Sequence, residues 1–396
     1  MAKELVIEPD LQFIRDLIAA GAEDLKKCSQ CATCAVACRI APDNNPYPRK
    51  EMIWAQWGLR DRLVNDPDIW LCHQCNDCSI QCPRGANPGD VLKAIRKMGI
   101  QENAWPSFLG KLVGTPSLLL LAIAIPIVVV LALVSSNKGF TFPQPVHYGK
   151  FIDYVHIQVV FSAALLFAVI SMVFSLNNYW VSLTENNPPA APGTKKAFVP
   201  SLIEALKEVL PHTTFKECET GNMRYAAHLL TFWGMIGLFL TTTIVAFNID
   251  ILHIAPPSRN GPGTLPIKIL GNVSAVSFVL GLGIMLVRRL TSSDQTGNSS
   301  YFDWFFLLAI FGTGVTGLVT ELTRWGGFVP GAYILFAIHL MFVMTLLLYL
   351  PFSKFAHIGY RTVAIAWAKS VGREIKLPVQ PNYVPPTAEA KGKSAA

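Results

Sequence analysis

Six stretches of this 396-residue chain contain no Asp, Glu, Lys or Arg: those between Lys111 and Lys138, Asp153 and Glu185, Arg224 and Asp250, Lys268 and Arg288, Asp303 and Glu321, and Arg324 and Lys354. A helix needs about 20 mostly apolar residues to cross a bilayer core. The stretches therefore predict six transmembrane helices, since a backbone at that depth must satisfy its own hydrogen bonds. Pro126 should kink the first helix, and the fifth is short and rich in Gly312, Gly314 and Gly317. The chain is 15% charged, against roughly 25% for a soluble domain.

The formal charge of +7 does not point to nucleic acid, because Lys and Arg gather at the edges of the apolar runs. The loop after the second helix carries Lys195, Lys196, Lys207, Lys216 and Arg224, and the tail carries Lys354, Arg361, Lys369 and Arg373. The loop after the first has only Lys138 and Lys150. This bias predicts a multi-pass membrane protein with both termini cytoplasmic. Met1 to Leu11 has no apolar core of a signal peptide. Ser201–Leu210 reads as an amphipathic surface helix after a Pro-rich loop, and the tail beyond Pro378 should fray.

Eight of the nine cysteines lie in a head before the apolar body. Cys28, Cys31, Cys34 and Cys38 are spaced C-x2-C-x2-C-x3-C, and Cys72, Cys75, Cys78 and Cys82 repeat the spacing. Paired runs of this kind bind two [4Fe-4S] clusters, three cysteines serving one cubane and the fourth the other. A tight loop wraps three thiolates around one cube, and a helix starting at the fourth carries it away. The expected ligand sets are Cys28, Cys31, Cys34 with Cys82, and Cys72, Cys75, Cys78 with Cys38. Arg39 follows Cys38 where Pro83 follows Cys82, and its charge should favour the reduced cluster. Zinc prefers two C-x2-C pairs without the third cysteine, and the cytoplasm disfavours disulfides. Tyr47–Asp66 reads as one helix with Met52, Ile53, Trp57 and Leu63 on its apolar face. Cys218 has no partner at metal-ligand spacing.

His156, His228 and His339 fall inside the spanning stretches and His357 just beyond the last. Ionisable groups at such depth are functional candidates, and neutral imidazole is a common axial ligand of haem iron. On one continuous helix, His339 and His357 would share a face about 27 Å apart. Matched by depth, His228 pairs with His357 for an inner haem b, and His156 with His339 for an outer one. Gly234 and Gly237 could admit a flat macrocycle. His73, His147, His212 and His253 read as exposed. No C-x-x-C-H motif is present, so haem attachment would be noncovalent. Near the outer haem, Lys150, Asp153 and Tyr154, with Gln158, Glu321 and Arg324, are candidates for a quinone site, Asp153 accepting the quinol proton. A cytoplasmic-side pocket near His228 and Arg224 is the competing location.

The segment from His339 through Leu350-Pro351-Phe352-Ser353-Lys354 to His357 resembles the last helix of the respiratory nitrate reductase gamma-subunit family of dihaem cytochromes b, and Arg224 to His228 with Trp233-Gly234 resembles that family's second helix. The family has a further histidine ten residues on, where this chain has Leu238. The cysteine head resembles the C subunit of heterodisulfide reductase. Head and cytochrome together resemble the C subunits of quinone-interacting membrane-bound oxidoreductase (Qmo) complexes. The resemblance implies exchange of electrons with menaquinone or menaquinol. It also implies two flavin and iron–sulfur partners like heterodisulfide reductase A (Qmo A and B), and through them adenylylsulfate reductase in sulfate respiration.

The expected architecture is mostly α: a two-cluster head over residues 1–108, a six-helix cytochrome b bundle over 109–365 and a tail over 366–396. The expected function is electron transfer between quinone and a cytoplasmic redox partner, with no substrate chemistry of its own. A membrane subunit of sulfite reduction or a heterodisulfide reductase relative is the rival within that class. A redox proton pump would need mid-membrane carboxylates, which the charge-free stretches lack, and a structural anchor would contain no haem.

Overall fold

The computed structural model describes residues 8–42, 45–136, 141–187, 196–212, 221–253, 264–291 and 297–373. Among these there is no strand: a head of short helices packs on one end of a bundle of six long apolar helices. Cys218 and the tail beyond Pro378 lie outside the described residues.

The head comprises α1 (Leu11–Ala19), α2 (Thr33–Ala37), α3 (Arg49–Gln56), α4 (Arg60–Val64), α5 (Asp68–Leu71), α6 (Asp77–Ile80) and α7 (Pro88–Asn103). Asp10 caps α1 by accepting from the Phe13 amide at 2.9 Å, which seats Phe13 and Leu17 in the core. The longest head helix, α7, buries Val91, Ile95 and Met98 on one face against Trp70, Met52 and Leu63. The single helix expected over Tyr47–Asp66 is two, α3 and α4, broken at Gly58. That residue has φ +66°, and a Cβ on it would stand 2.6 Å from the Asp10 carbonyl oxygen. Trp57, expected on the apolar face, is consequently exposed.

From the head the chain passes through α8 (Ser107–Gly114) into α9 (Leu119–Ser136), and continues with α10 (Tyr148–Phe151), α11 (Tyr154–Asn186), α12 (Phe198–Val209), α13 (Gly221–Asp250), α14 (Thr264–Thr291), α15 (Tyr301–Trp325), α16 (Val329–Tyr349) and α17 (His357–Ser370). The six spanning helices are α9, α11, α13, α14, α15 and α16, one for each charge-free stretch. Amphipathic α12 buries Ser201 and Ala205 and leaves Phe198, Val199, Ile203 and Leu206 exposed, as a helix lying in a membrane interface would. Lys369 of α17 pairs with Glu208 of α12 at 3.0 Å.

Two expectations about helix geometry are corrected. His339 and His357 do not share a helix: α16 stops at Tyr349, two short 3-10 turns carry Pro351 and Lys354, and α17 starts anew at His357. Pro351 lacks the amide that would continue the ladder, and Ser353 accepts from the Phe355 amide at 3.3 Å to cap the restart. Gly234 and Gly237 face α14 and not an open slot. A Cβ on Gly234 would lie 2.7 Å from the Phe278 backbone nitrogen, so the two backbones touch there. The expected boundaries at residues 108 and 365 fall inside α8 and α17, which run unbroken through the junction of head and bundle.

Candidate functional site

The two cysteine runs adopt the same backbone path. Gln30 and Ala32 in the first, and Gln74 and Asn76 at the matching positions of the second, all have positive φ, 62°, 68°, 54° and 72°. These left-handed residues curl each loop around its cysteines and turn successive amides inward, an arrangement suited to anionic groups. One expectation is corrected: the short helices α2 and α6 contain the third cysteine, and the fourth comes at or just past their ends.

Cys28, Cys31, Cys34 and Cys82 line one small hollow with Arg49 and Arg84, so the last cysteine of the second run crosses to the first. Burial first, and then Cys28, Cys82 and Cys31 beside it, pushes the Cys34 thiol up to about 11. Burial likewise raises Cys38, with Cys72 and Cys75 as the next causes, and raises Cys78, which is surrounded by Cys72, Cys75 and Cys38. The eight sulfurs thus fall into two crowded sets, with no disulfide among them. Thiolates as dehydrated as Cys34, Cys38, Cys72 and Cys78 repel their neighbours until cations lie between them, which fits two iron–sulfur clusters. Amides already point at sulfur: Gln74 donates to Cys72 Sγ and Ala86 to Cys82 Sγ, each at 3.3 Å.

Arginines hold the second loop. Arg96 of α7 donates to the Cys72 carbonyl and, at 2.9 Å, to Gln74 Oε1. Arg361 of α17 donates to the same Cys72 carbonyl at 3.2 Å. Arg224 of α13 donates to the carbonyls of Gln74 at 2.7 Å and His73 at 2.6 Å. Burial pulls Arg361 down to about 10, which leaves it cationic at neutral pH. Trp70 stacks on Tyr360 at 4.9 Å and packs edge-on to Tyr179, joining head, α17 and α11.

Beyond this loop, at the head end of the bundle, lies a cavity of about 310 Å³ whose wall includes Cys72, His73, Gln74, His212, His228 and His357. The His228 and His357 rings are 6.3 Å apart between centroids. An iron in line between two imidazoles, with bonds of about 2 Å, sets such centroids roughly 6 Å apart. His357 Nδ1 lies 2.6 Å from the Lys354 carbonyl oxygen. A carbonyl only accepts, so Nδ1 carries the proton and Nε2 keeps the lone pair a metal requires. Lys97 and Arg289 also line the cavity, and Arg289 Nη1 is buried without a hydrogen-bond partner, as a haem carboxylate would need. The residues present fit a haem.

His73 and His212, expected to be exposed, are buried. His73 lies in the cysteine loop that packs on the cavity, and His212 follows α12, which α17 holds in place. The His212 ring is 4.7 Å from His228, too close for an iron in line between them. Only its place after an amphipathic segment hinted at burial. His147 and His253 are exposed, as expected.

The outer pair is not brought together. His156 is two residues into α11 and His339 ten residues into α16, about 3 Å and 15 Å from the far ends of their helices at 1.5 Å per residue. His156 shares the exposed face of α11 with Val155 and Val159. His339 instead donates through Nδ1 to Thr316 Oγ1 at 3.1 Å, that hydroxyl being already committed to the Gly312 carbonyl at 2.6 Å. Its ring packs on Gly317, where a Cβ would lie 3.0 Å from Cε1. Lys150, Asp153 and Tyr154 do not line the cavity. Asp153 caps α11 through the Val155 amide at 3.0 Å, and Gln158 is bonded to Asp250.

Comparison with known proteins matches the cysteine head and the apolar body to separate families. Residues 24–86 match the 4Fe-4S dicluster domain family and residues 111–376 the citrate utilization protein B family. A protein of Archaeoglobus profundus that resembles the heterodisulfide reductase C subunit is 41% identical over 24% of this chain and 48% of its own length. The C subunit of the H(2):CoB-CoM heterodisulfide,ferredoxin reductase of Methanothermobacter marburgensis is 36% identical over 22% and 47%. The chain thus spans about half the length of these relatives. Citrate utilization protein B of Escherichia coli is 24% identical over 87% of this chain and 90% of its own length. No solved structure matches.

Proposed function

The chain belongs to the citrate utilization protein B family, and on that premise we propose that it is the membrane electron-transfer subunit of an oxidoreductase complex, exchanging electrons between menaquinone and a cytoplasmic redox partner. Cys28, Cys31, Cys34 and Cys82 hold one [4Fe-4S] cluster, and Cys72, Cys75, Cys78 and Cys38 the other. His228 and His357 hold a haem b, with Arg289 and Lys97 taking its carboxylates. His339, with Nδ1 fixed by Thr316, is a ligand of a second haem. Bound there, these groups supply one-electron exchange. The chain's own residues fix ligand tautomers, shield Cys34, Cys72 and Cys78 from water and balance charge.

The observation that carries this reading is the cavity that has His228 and His357 at 6.3 Å and the Cys72 loop in its wall. Anaerobically purified protein should contain about eight non-haem irons and extractable haem b, and a chain lacking both would refute it.

Quinone exchange is proposed at the far end of the bundle, beside Lys150 and Tyr154, with Asp153 receiving the proton. Asn caps a helix as well as Asp does, so Asp153→Asn keeps the start of α11 and removes only the proton acceptor. Slower haem reduction by a menaquinol analogue is expected, and unchanged kinetics would remove Asp153 from the mechanism.

The finer reading is the C subunit of a Qmo-type complex in the inner membrane, termini cytoplasmic, acting with Qmo A-like and B-like flavoproteins towards adenylylsulfate reductase. What supports it is one chain joining a heterodisulfide reductase C-like head to six spanning helices. The match to citrate utilization protein B along most of the chain favours a second reading, in which the same carriers serve oxidation of a citrate-type acid. Proteins that copurify from mild detergent decide: heterodisulfide reductase A-like flavoproteins support the first, a soluble dehydrogenase the second, and no redox partner contradicts both.

A further inference from the structure

The two cysteine loops have matching backbones but different surroundings. The first is flanked by exposed arginines: Arg49 Nε donates to the Gln30 carbonyl at 3.3 Å, and Arg49 and Arg84 line its hollow. The second is gripped by three partly buried guanidinium groups from α7, α13 and α17, which bond the carbonyls of Cys72, His73 and Gln74. A backbone carbonyl is satisfied by a neutral amide, so three separate cations on three successive residues exceed what folding the loop requires. Their geometry also crosses the molecule: Arg224 lies one turn before His228 on α13, so one helix carries both a contact to the cysteine loop and a haem-ligand candidate.

We propose that Arg96, Arg224 and Arg361 are positioning residues that make the Cys72–Cys75–Cys78–Cys38 cluster easier to reduce than the other cluster and hold it in register with His228. This rests on the reading that the cysteines bind clusters. An added electron beside a fixed positive charge is stabilised by Coulomb attraction, and cluster potentials follow net charge and nearby hydrogen bonds. Screening by salt weakens the effect of exposed Arg49 and Arg84 more than that of the three partly buried guanidinium groups. Electrons therefore settle next to the cavity, and the exposed Cys31 site, being harder to reduce, faces the partner.

The test is a redox titration of the full-length, anaerobically purified protein followed by electron paramagnetic resonance, with Cys75→Ser identifying which signal belongs to the second cluster. Arg361→Gln should lower the midpoint of that cluster and leave the other unmoved, and Arg361→Lys, which keeps the charge, should restore it. Arg224→Gln should lower the same midpoint and also shift the g-values of the haem bound at His228. Wild-type midpoints in both Gln variants, or an equal shift of both clusters, would overturn the proposal. If Arg361→Gln loses its cluster, Arg361→Lys decides: a cluster at the wild-type potential supports the proposal, and loss there too overturns it. Wild-type protein with no [4Fe-4S] signal would overturn the cluster reading and this proposal together.

Discussion

Lys50 lies 2.8 Å from Asp66, 2.7 Å from Asp68 and 3.3 Å from Glu51, and Arg373 pairs with Asp68, all three carboxyls being fully buried. Two cations balance two carboxylates, so the third must be neutral. It is Glu51, which burial raises far above the usual carboxylate range against the pull of Lys50. A raised acid binds its proton more tightly when folded, so it contributes stability at low pH that is lost as pH climbs above the unfolded value of about 4.3. Glu51→Gln mimics the neutral form and removes that slope. Thermal unfolding should show the variant gaining on wild type between pH 5 and pH 8, and a gap that does not widen would mean Glu51 is ionised. None of this was legible in the sequence, where Glu51, Asp66 and Asp68 sit in an ordinary charged segment. Cysteine ligands announce themselves because loop geometry fixes their spacing. Arg96, Arg224 and Arg361 converge from positions more than a hundred residues apart and leave no local pattern.

At the scale of single elements, periodicity and absence of charge located all six spanning helices, while the places where helices stop depended on single residues. Pro351 stands inside an apolar run that reads as one helix, yet it ends α16 and lets α17 turn His357 into the cavity. Asp303 opens α15: its carboxylate accepts from Ser300 N and Oγ, each at 3.0 Å, and pairs with Lys354. Loss of the cap in Ser300→Ala should cost about 1 kcal/mol. Asp303→Asn should cost more, about 2–3 kcal/mol, because it leaves the partly buried charge of Lys354 without its partner. Unfolding of the two variants in detergent checks the order, and equal losses would mean the ion pair contributes nothing. Between α13 and α14, a Cβ on Gly281 would stand 2.6 Å from the Ala227 carbonyl oxygen, next to His228. Gly281→Leu should therefore push α13 away and lower haem content while leaving the iron of the head in place, and unchanged haem would free this contact from any role in the cavity.

Head and bundle are bound through α17, the Trp70–Tyr360 stack and the arginines on the Cys72 loop, so the candidate sites for iron and haem share one junction. Depth-matching from sequence set His228 beside His357, whose rings stand 6.3 Å apart, because both lie at helix ends on the head side, where the hydropathy boundary is sharp. It matched His156 with His339, which lies deeper in its own helix, because hydropathy fixes depth only to within a turn or two and says nothing of which face of α11 meets α16. In the function proposed, this junction carries haem between His228 and His357 beside an iron–sulfur head. This is tested most directly by the optical and paramagnetic spectra of the anaerobically purified chain and of three alanine variants at His228, His357 and His156. Two [4Fe-4S] signals are expected in all four proteins, with a low-spin haem that vanishes in both His228→Ala and His357→Ala and persists in His156→Ala. A haem spectrum unchanged by His357→Ala, or abolished by His156→Ala alone, would contradict the proposal.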